Sequence, residues 1–504
     1  MSLSSRGTVC ATAFAACVAK IALAIPAVLN GLFQRDLATT SAQLTWISDA
    51  FLVPVALFEL ASGVLGDLFG RKRLLIAGSL LLTLGELVCV CTPGASAGTD
   101  VRVAVLWTGQ AIAGVGAAVL FPTSLAMVAA ATHSTRARAH GIAVWSAALA
   151  TGGFVSPLLG GLVARFNWAG IPATAWKWAF LAVVVLALTC AAVALTAQNS
   201  SAPAGRSLDW PGQITLTIAL LALLLAIIQG STSGWRNSWV VTGFLVFAVF
   251  APLFVLVEHR APAPLPRLAL YRNRAFAVNA AVTLIGMFSF LGTVSATSIR
   301  LSAIQKFSPL KTAVAFVLLL GFTLALLPLT ERAIAHYQPK WALGGGFLLM
   351  GAGDLWISTQ SAASLSIWPI VAPLAPVGIG FAFALSGVTA VAVNSVPGHL
   401  AGMASGSTNQ LRDFGFTLGP AVVSAIALGG AAAQIQDRLA GDPTLRSALD
   451  AFERTPSQLP TGARATAEAA VRTVRSGPLG ANAIPANPLK DVAFHALDHA
   501  YSIA

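Results

Sequence analysis

Charge is scarce in this chain. Asp, Glu, Lys and Arg together supply 10% of its 504 residues, against 56% hydrophobic residues and a mean hydropathy of +0.79. That composition excludes an ordinary soluble globule. Metal-binding residues are sparse as well. Of the five cysteines, Cys17, Cys89, Cys91 and Cys190 lie inside apolar runs and read as packing residues, because Cys89-x-Cys91 has no second ligand pair to build a zinc site. The seven histidines are scattered, with His133 and His140 on one loop and no acid paired to them. No metal, no cofactor and no membrane-embedded enzyme is expected from that pattern. A cleavable leader is also missing: the first apolar run, from about Thr8, follows a single base and passes through Pro26 without a small-residue cleavage signal, so it reads as a retained helix.

What the chain has is long apolar runs. The net charge of +12 would suggest nucleic acid in a soluble protein, but here the bases fall in short loops between those runs, which speaks for membrane topology and against nucleic acid. A hydrocarbon core of roughly 30 Å needs about 20 residues per helix. On that ruler thirteen spans are predicted, near 8–30, 42–65, 74–92, 103–129, 140–163, 177–197, 211–230, 238–257, 276–298, 310–330, 341–359, 366–392 and 404–430. From 431 to 490 the chain turns polar and reads as an extracytoplasmic loop. At 491–504 it becomes apolar again, the start of a fourteenth helix missing from this chain, or a short amphipathic tail on the membrane.

An internal repeat organises the spans. At one fixed offset Lys72 matches Lys340, Gly78 matches Gly346, Leu80 and Leu81 match Leu348 and Leu349, and Gly85-Glu86-Leu87 matches Gly353-Asp354-Leu355. Ser156-Pro157 is echoed more loosely by Gly419-Pro420. The expected fold is therefore an all-α polytopic membrane protein. It has an N-terminal six-helix half (1–200), an inserted helix pair (201–260) and a C-terminal half with helices nine to thirteen (261–430).

Between the second and third spans, Gly63-Val-Leu-Gly-Asp67-Leu-Phe-Gly70-Arg71-Lys72-Arg73 interrupts two apolar runs with an acid, spaced glycines and three successive bases. Gly63 leaves room for a neighbouring helix, Gly70 permits a tight turn, and the bases favour the cytoplasmic surface, which places the N-terminus inside. The segment resembles the loop between the second and third helices of major facilitator superfamily transporters. Further segments resemble the fourteen-helix drug:proton antiporter branch of that superfamily, and together the matches run in order from the first helix to the thirteenth. They are Trp46-Ile-Ser-Asp49-Ala-Phe51, Gly114-Val-Gly116 with Pro122, Gly152-Gly153 through Ser156-Pro157-Leu-Leu-Gly160-Gly161, Trp176-Lys-Trp-Ala-Phe180, Asp209-Trp-Pro-Gly212, and Ala401-Gly-Met-Ala-Ser-Gly406 with Asn409 and Arg412. The resemblance implies a multi-pass protein of the bacterial inner membrane that couples the inward proton gradient to efflux of drug-like or antibiotic molecules, the gating motif at Gly63 to Arg73 closing the cytoplasmic side. Its partners would be a small-molecule substrate, protons and the bilayer; a monomer is favoured, although oligomeric state is not readable. Three departures leave a second reading open, a same-fold transporter of a metabolite such as an amino acid, sugar or siderophore, without proton coupling. The first-helix acid of the branch is Cys17 here, its fourth-helix arginine is Gln110, and the hinge after the tenth helix, Thr330 to Tyr337, has lost the acid-glycine-base pattern.

An ionisable group at bilayer depth costs about 2.5–3.5 kcal/mol on insertion scales, so each one inside a predicted span needs a partner or a purpose. Seven qualify: Lys20, Asp49, Glu59, Glu86, Asp354, Arg412 and Asp413. Asp49 is the first choice for binding a proton or cationic substrate. Glu59, Gly63 and Asp67 follow one helical row toward the gate. Lys20 is expected to pair with Glu86, Asp49 or Glu59, or to stand in for the missing arginine. Glu86 and Asp354 occupy repeated positions and are expected to bond within their own halves. The adjacent Arg412 and Asp413 project in different directions from one helix and need not pair with each other. On the fifth helix, the rows Gly152, Ser156, Gly160 and Gly153, Pro157, Gly161 offer a smooth surface on which a helix of the other half could slide.

Overall fold

The computed structural model describes residues 3–132, 135–163, 165–201, 209–261, 268–361, 364, 366–396, 401–441 and 490–503. Each expected span falls on a helix. The first is α1 (Leu3–Ala24) with α2 (Pro26–Leu37), broken where Pro26 lacks an N–H to continue the ladder. Then follow α3 (Ser41–Phe69), α4 (Arg71–Val90), α5 (Thr99–Ala131), α6 (Thr135–Val163) and α7 (Trp176–Ala194). The inserted pair is α8 (Trp210–Ser233) and α9 (Ser238–Arg260). The second half has α10 (Arg274–Ile299), α11 (Pro309–Ala325) continued by α12 (Leu327–His336), α13 (Pro339–Ser358), α14 (Trp368–Asn394) and α15 (Ala401–Gly441). A last helix, α16, spans Lys490–Ile503.

Local sequence explains where several of these helices begin. Thr40 and Gln43 form a reciprocal capping box on α3, and Asp209, Asn237, Asn273 and Ser308 each accept a backbone N–H at the start of α8, α9, α10 and α11. Among the described residues eleven helices are long and apolar enough to cross a bilayer, and α3 makes a twelfth if its two parts count as one span. Those parts, Ala42–Glu59 and Ala61–Phe69, meet at 56°. The remaining expected span, 341–359, is α13, in place as a 20-residue helix whose apolar character is diluted by Gly344, Gly345, Gly346, Gly351, Gly353 and Asp354. One boundary moves: α15 runs to Gly441, so the polar loop expected at 431–490 begins no earlier than that, and residues 442–489 lie outside the described ones.

The repeat in sequence is a repeat in packing. In the first half α4 packs on α5, α3 on α5 and α1 on α6; in the second half α13 packs on α14, α11 on α14 and α10 on α15. Glycines set the closeness of the equivalent pairs. A Cβ on Gly85 would overlap the α5 backbone at Ala113, and one on Gly353 would meet Val377 and the Pro373 carbonyl of α14. Helices without a bulk hydrophobic force between them associate through such close backbone contact, which is why the same glycines recur at the repeat offset. The halves meet along two seams, α6 with α11 and α3 with α15, while α2 packs on α10 and α11. The inserted helix α8 lies against both α3 and α15; α9 packs on α8 and leaves Trp239, Leu245 and Val249 exposed.

Candidate functional site

The motif after α3 is a joint within the first half. Gly70 adopts φ +97°, a conformation costly for any residue with a Cβ, and so turns the chain from α3 into α4. Asp67 accepts from Arg71 Nε (3.1 Å) and its terminal nitrogen (2.7 Å). Arg71 N–H donates to the Ser200 carbonyl (2.9 Å) and Lys72 Nζ to the Leu195 carbonyl (2.5 Å), tying the turn to the segment after α7. Arg73 begins α4 beside them. Gly63 does not admit an unusually close helix, since a Cβ there would be 3.7 Å from Pro122, an ordinary contact. The degenerate partner, Thr330 to His336, is plain helix in α12 and lacks a glycine turn of this kind.

The expected row Glu59, Gly63, Asp67 is divided by the bend that follows Glu59. Asp67 serves Arg71, whereas Glu59 points across the seam to the other half: its buried carboxyl lies next to that of Asp413 on α15. Carboxyl groups this close could share a hydrogen bond only when one of them carries a proton, because an ionised carboxylate is acceptor-only. Asp413 also accepts from Arg412 Nε (3.0 Å) and from its terminal nitrogen (3.4 Å), and a second Arg412 terminal nitrogen donates to Asn409 Oδ1 (3.2 Å). The adjacent pair therefore does associate. The long arginine stem folds back around the helix and overcomes the divergence of neighbouring Cβ atoms. All of these groups are buried or half-buried.

Lys20 on α1 completes the cluster electrostatically, its charge acting on Asp413 and against Arg412. It does not pair with Glu86, Asp49 or Glu59: among the described residues it has no ion pair within 4.0 Å, and its ammonium sits 5.5 Å from the Phe416 ring centroid. Lys20 also lines a cavity of about 70 Å³ between the halves, with Asn30, Ser48, Phe290, Ser298 and Phe316 among its walls. Among the lining residues described, Lys20 alone is charged. At the end of the bundle away from Arg71 the halves touch: Asn30 Nδ2 donates to Ser298 Oγ (2.8 Å), Ser298 Oγ donates to the Ala27 carbonyl, and Gly161 of α6 lies against Pro309, Leu310 and Ala313 of α11.

The small-residue rows on α6 divide their work. Ser156 Oγ donates to the Ile21 carbonyl (3.0 Å), Gly152 lies against the Cys17 carbonyl and Lys20, and Gly160 against Val28. That row seats the first span of its own half and corrects the expectation of a sliding surface for the other half. Only the second row reaches across, with Pro157 on the cavity and Gly161 at α11, while Gly153 has the Lys20 side chain 3.8 Å from where its Cβ would be.

Three other acids stay apart from the cluster. Asp49 is fully buried and, among the described residues, neither of its oxygens has a hydrogen-bond partner. It lies on α3 between Trp46, which packs against Trp107, and Phe51, whose carbonyl Gly114 approaches. Asp354 accepts from Thr293 Oγ1 (2.8 Å) and Ser289 Oγ (3.1 Å) on α10, a bond within its own half as expected. Among the described residues Glu86 has no such donors, and Gln110 turns its amide to Cys89 Sγ (3.4 Å).

Sequence reasoning missed several groups. Asp36 accepts from Arg102 (2.8 Å) and Trp176 Nε1 (2.8 Å), joining α2, α5 and α7; Arg300 faces Asp498 of α16 at 3.9 Å. Periodicity holds no signal for these, since each sits at a span end where a solvated charge is the ordinary expectation. No group of three or more His, Cys, Asp or Glu that could hold a metal occurs among the described residues.

Two repeated helical halves around a cavity, with membrane-length apolar helices, define a multi-pass membrane protein. The family model "Major Facilitator Superfamily" matches residues 9–213. The chain is 28% identical over 425 residues to "Multidrug resistance protein Stp" of Mycobacterium tuberculosis (strain CDC 1551 / Oshkosh), covering 82% of this chain and 75% of that protein. It is 27% identical over 411 residues to "Tetracenomycin C resistance and export protein" of Streptomyces glaucescens, covering 80% and 72%. Among solved structures it is similar to an inward-open xylose transporter from E. coli, with TM-score 0.59 and 13% identity over 84% of this chain and 90% of that one. Over residues 9–213 the chain is thus similar to the major facilitator superfamily, and the proteins it is similar to include resistance exporters.

Proposed function

We propose that this protein exports drug-like or antibiotic small molecules from a bacterial cytoplasm in exchange for protons, by alternating access, with the Glu59–Asp413 pair as the proton-carrying site. The observation that carries the reading is the proximity of two buried carboxyl groups from opposite halves. One proton holds the halves together at that seam. When it leaves, both groups are ionised beside each other, and like charges at contact in a low-dielectric interior repel strongly. Proton binding and release thereby favour different arrangements of α3 against α15. The substrate would occupy the cavity next to Lys20, whose apolar and hydroxyl-bearing walls suit an amphipathic molecule. The joint at Asp67 and Arg71 would act on the cytoplasmic side, with the N-terminus inside and the contact of Asn30 with Ser298 closing the outer side. The resistance exporters among the relatives support a drug or antibiotic as cargo.

The test is proton exchange in proteoliposomes carrying a trapped pH dye, with ethidium and tetracenomycin C as probes. Wild-type protein should move protons against either probe, and Glu59→Gln should abolish that exchange while leaving probe binding within about threefold. Retained exchange in Glu59→Gln would remove the pair from the mechanism.

A further inference from the structure

The inserted helix α8 touches the same seam as the carboxyl pair. Leu220 and Leu224 of α8 pack with Val53 and Leu57 of α3 and with Ala421 of α15, so one helix from outside the two repeats covers both sides of the junction. At its first turn Gln213 Nε2 donates to the Leu57 carbonyl (2.5 Å). Leu57 comes two residues before Glu59, and the 56° bend of α3 lies between Glu59 and Ala61.

Sharp kinks arise at prolines, at Gly/Ser pairs or where a side chain bonds into the helical ladder. Pro54 lies on the wrong side, since a proline disturbs the turn before it and this bend comes after it. Ser62 and Gly63 follow the bend and make that stretch easy to deform, but small residues select no particular angle. Gln213 supplies what they lack, a directional bond from a second helix to a carbonyl at the bend.

We infer that Gln213 is a positioning residue for the proton site, and that the inserted pair serves this transporter by holding the α3 bend that aims Glu59 at Asp413. The inference rests on the reading of Glu59 and Asp413 as the proton site. The charged groups facing that pair are Arg412 on α15 and Lys20 on α1, and α8 contributes the uncharged amide of Gln213. The amide thus acts on Glu59 through geometry, fixing how far its carboxyl lies from Asp413 and Arg412.

Infrared titration of the purified full-length chain in lipid nanodiscs tests this without a known substrate. The protonated-carboxyl C=O band that disappears in Glu59→Gln reports the pair. In Gln213→Leu, which keeps the bulk and removes the donor, the pH midpoint of that band should move by about half a unit or more. Leu216→Ala, a packing change on the same helix, should leave it in place. A Gln213→Leu midpoint coinciding with wild type overturns the inference. Should Gln213→Leu yield no folded protein, Gln213→Asn, whose amide is one methylene too short to reach Leu57, must show the same displacement or the inference fails. If Glu59→Gln removes no band, the proton-site reading falls and takes this inference with it; if it removes the band and the Gln213 variants leave the midpoint unmoved, only the positioning role falls.

Discussion

Glu59 and Asp413 lie on helices of opposite halves and bring two buried carboxyl groups next to each other, with Arg412 paired to the aspartate side only. The asymmetry has an energetic consequence. Removing the Asp413 carboxyl strands a buried guanidinium, whereas Glu59→Gln keeps an amide that can donate to Asp413. Asp413→Ala is expected to destabilise the protein by about 3–5 kcal/mol and Glu59→Gln by about 1 kcal/mol or less. Thermal unfolding in one detergent, read for both variants, checks the difference.

Asp36, Arg102 and Trp176 form a second buried polar junction, on the first half alone. Asp36→Ala leaves Arg102 without its carboxylate and Trp176 without its acceptor, and should cost about 3 kcal/mol. Because the residues share one network, Asp36→Ala with Arg102→Ala should cost less than the two single changes added together. A double-mutant cycle in unfolding free energy measures that shortfall; strict additivity would mean that the junction contributes no coupling.

The glycines of α13 differ in what surrounds them. Gly353 lies against the α14 backbone, while a Cβ on Gly351 meets nothing within 4 Å. Gly351→Ala should therefore be neutral or stabilising by up to about 1 kcal/mol, from helix propensity alone. Gly353→Val and its counterpart Gly85→Val should each cost about 1–3 kcal/mol through forced separation of paired helices. Melting temperatures of the four proteins, wild type included, rank them.

The contact of Asn30 with Ser298 bridges the halves at the end away from Arg71. In a background with the five native cysteines replaced by alanine, Asn30→Cys with Ser298→Cys should cross-link on oxidation and stop transport. Reduction should restore it. Transport that continues in the fully cross-linked protein would show that these ends need not separate.

Much of the fold was legible because bilayer thickness forces long apolar runs, and these can be read directly from composition. The turn at Gly70 was legible too, since a positive φ between two apolar helices leaves few choices but glycine. The candidate site was legible only as a set of residues. Lys20, Glu59, Arg412 and Asp413 all stood out as ionisable groups at depth, yet their grouping did not. Asp49, the expected first choice, stands outside the cluster, and Lys20 faces the pair and the cavity instead of bonding to an acid.

What the sequence determined by itself was where the long apolar helices fall, the internal repeat and which ionisable groups lie inside those helices. Each of these follows from local hydropathy, spacing or the steric allowance of glycine. Tertiary structure alone decided that Glu59 meets Asp413, that one row of small residues on α6 seats its own half, and that Gln213 reaches the bend in α3. Those contacts depend on helix rotation and on a 56° change of axis at one point. A helix hydrophobic on nearly every side carries no strong periodic signal of which face turns inward, so only the packed bundle selects the partners.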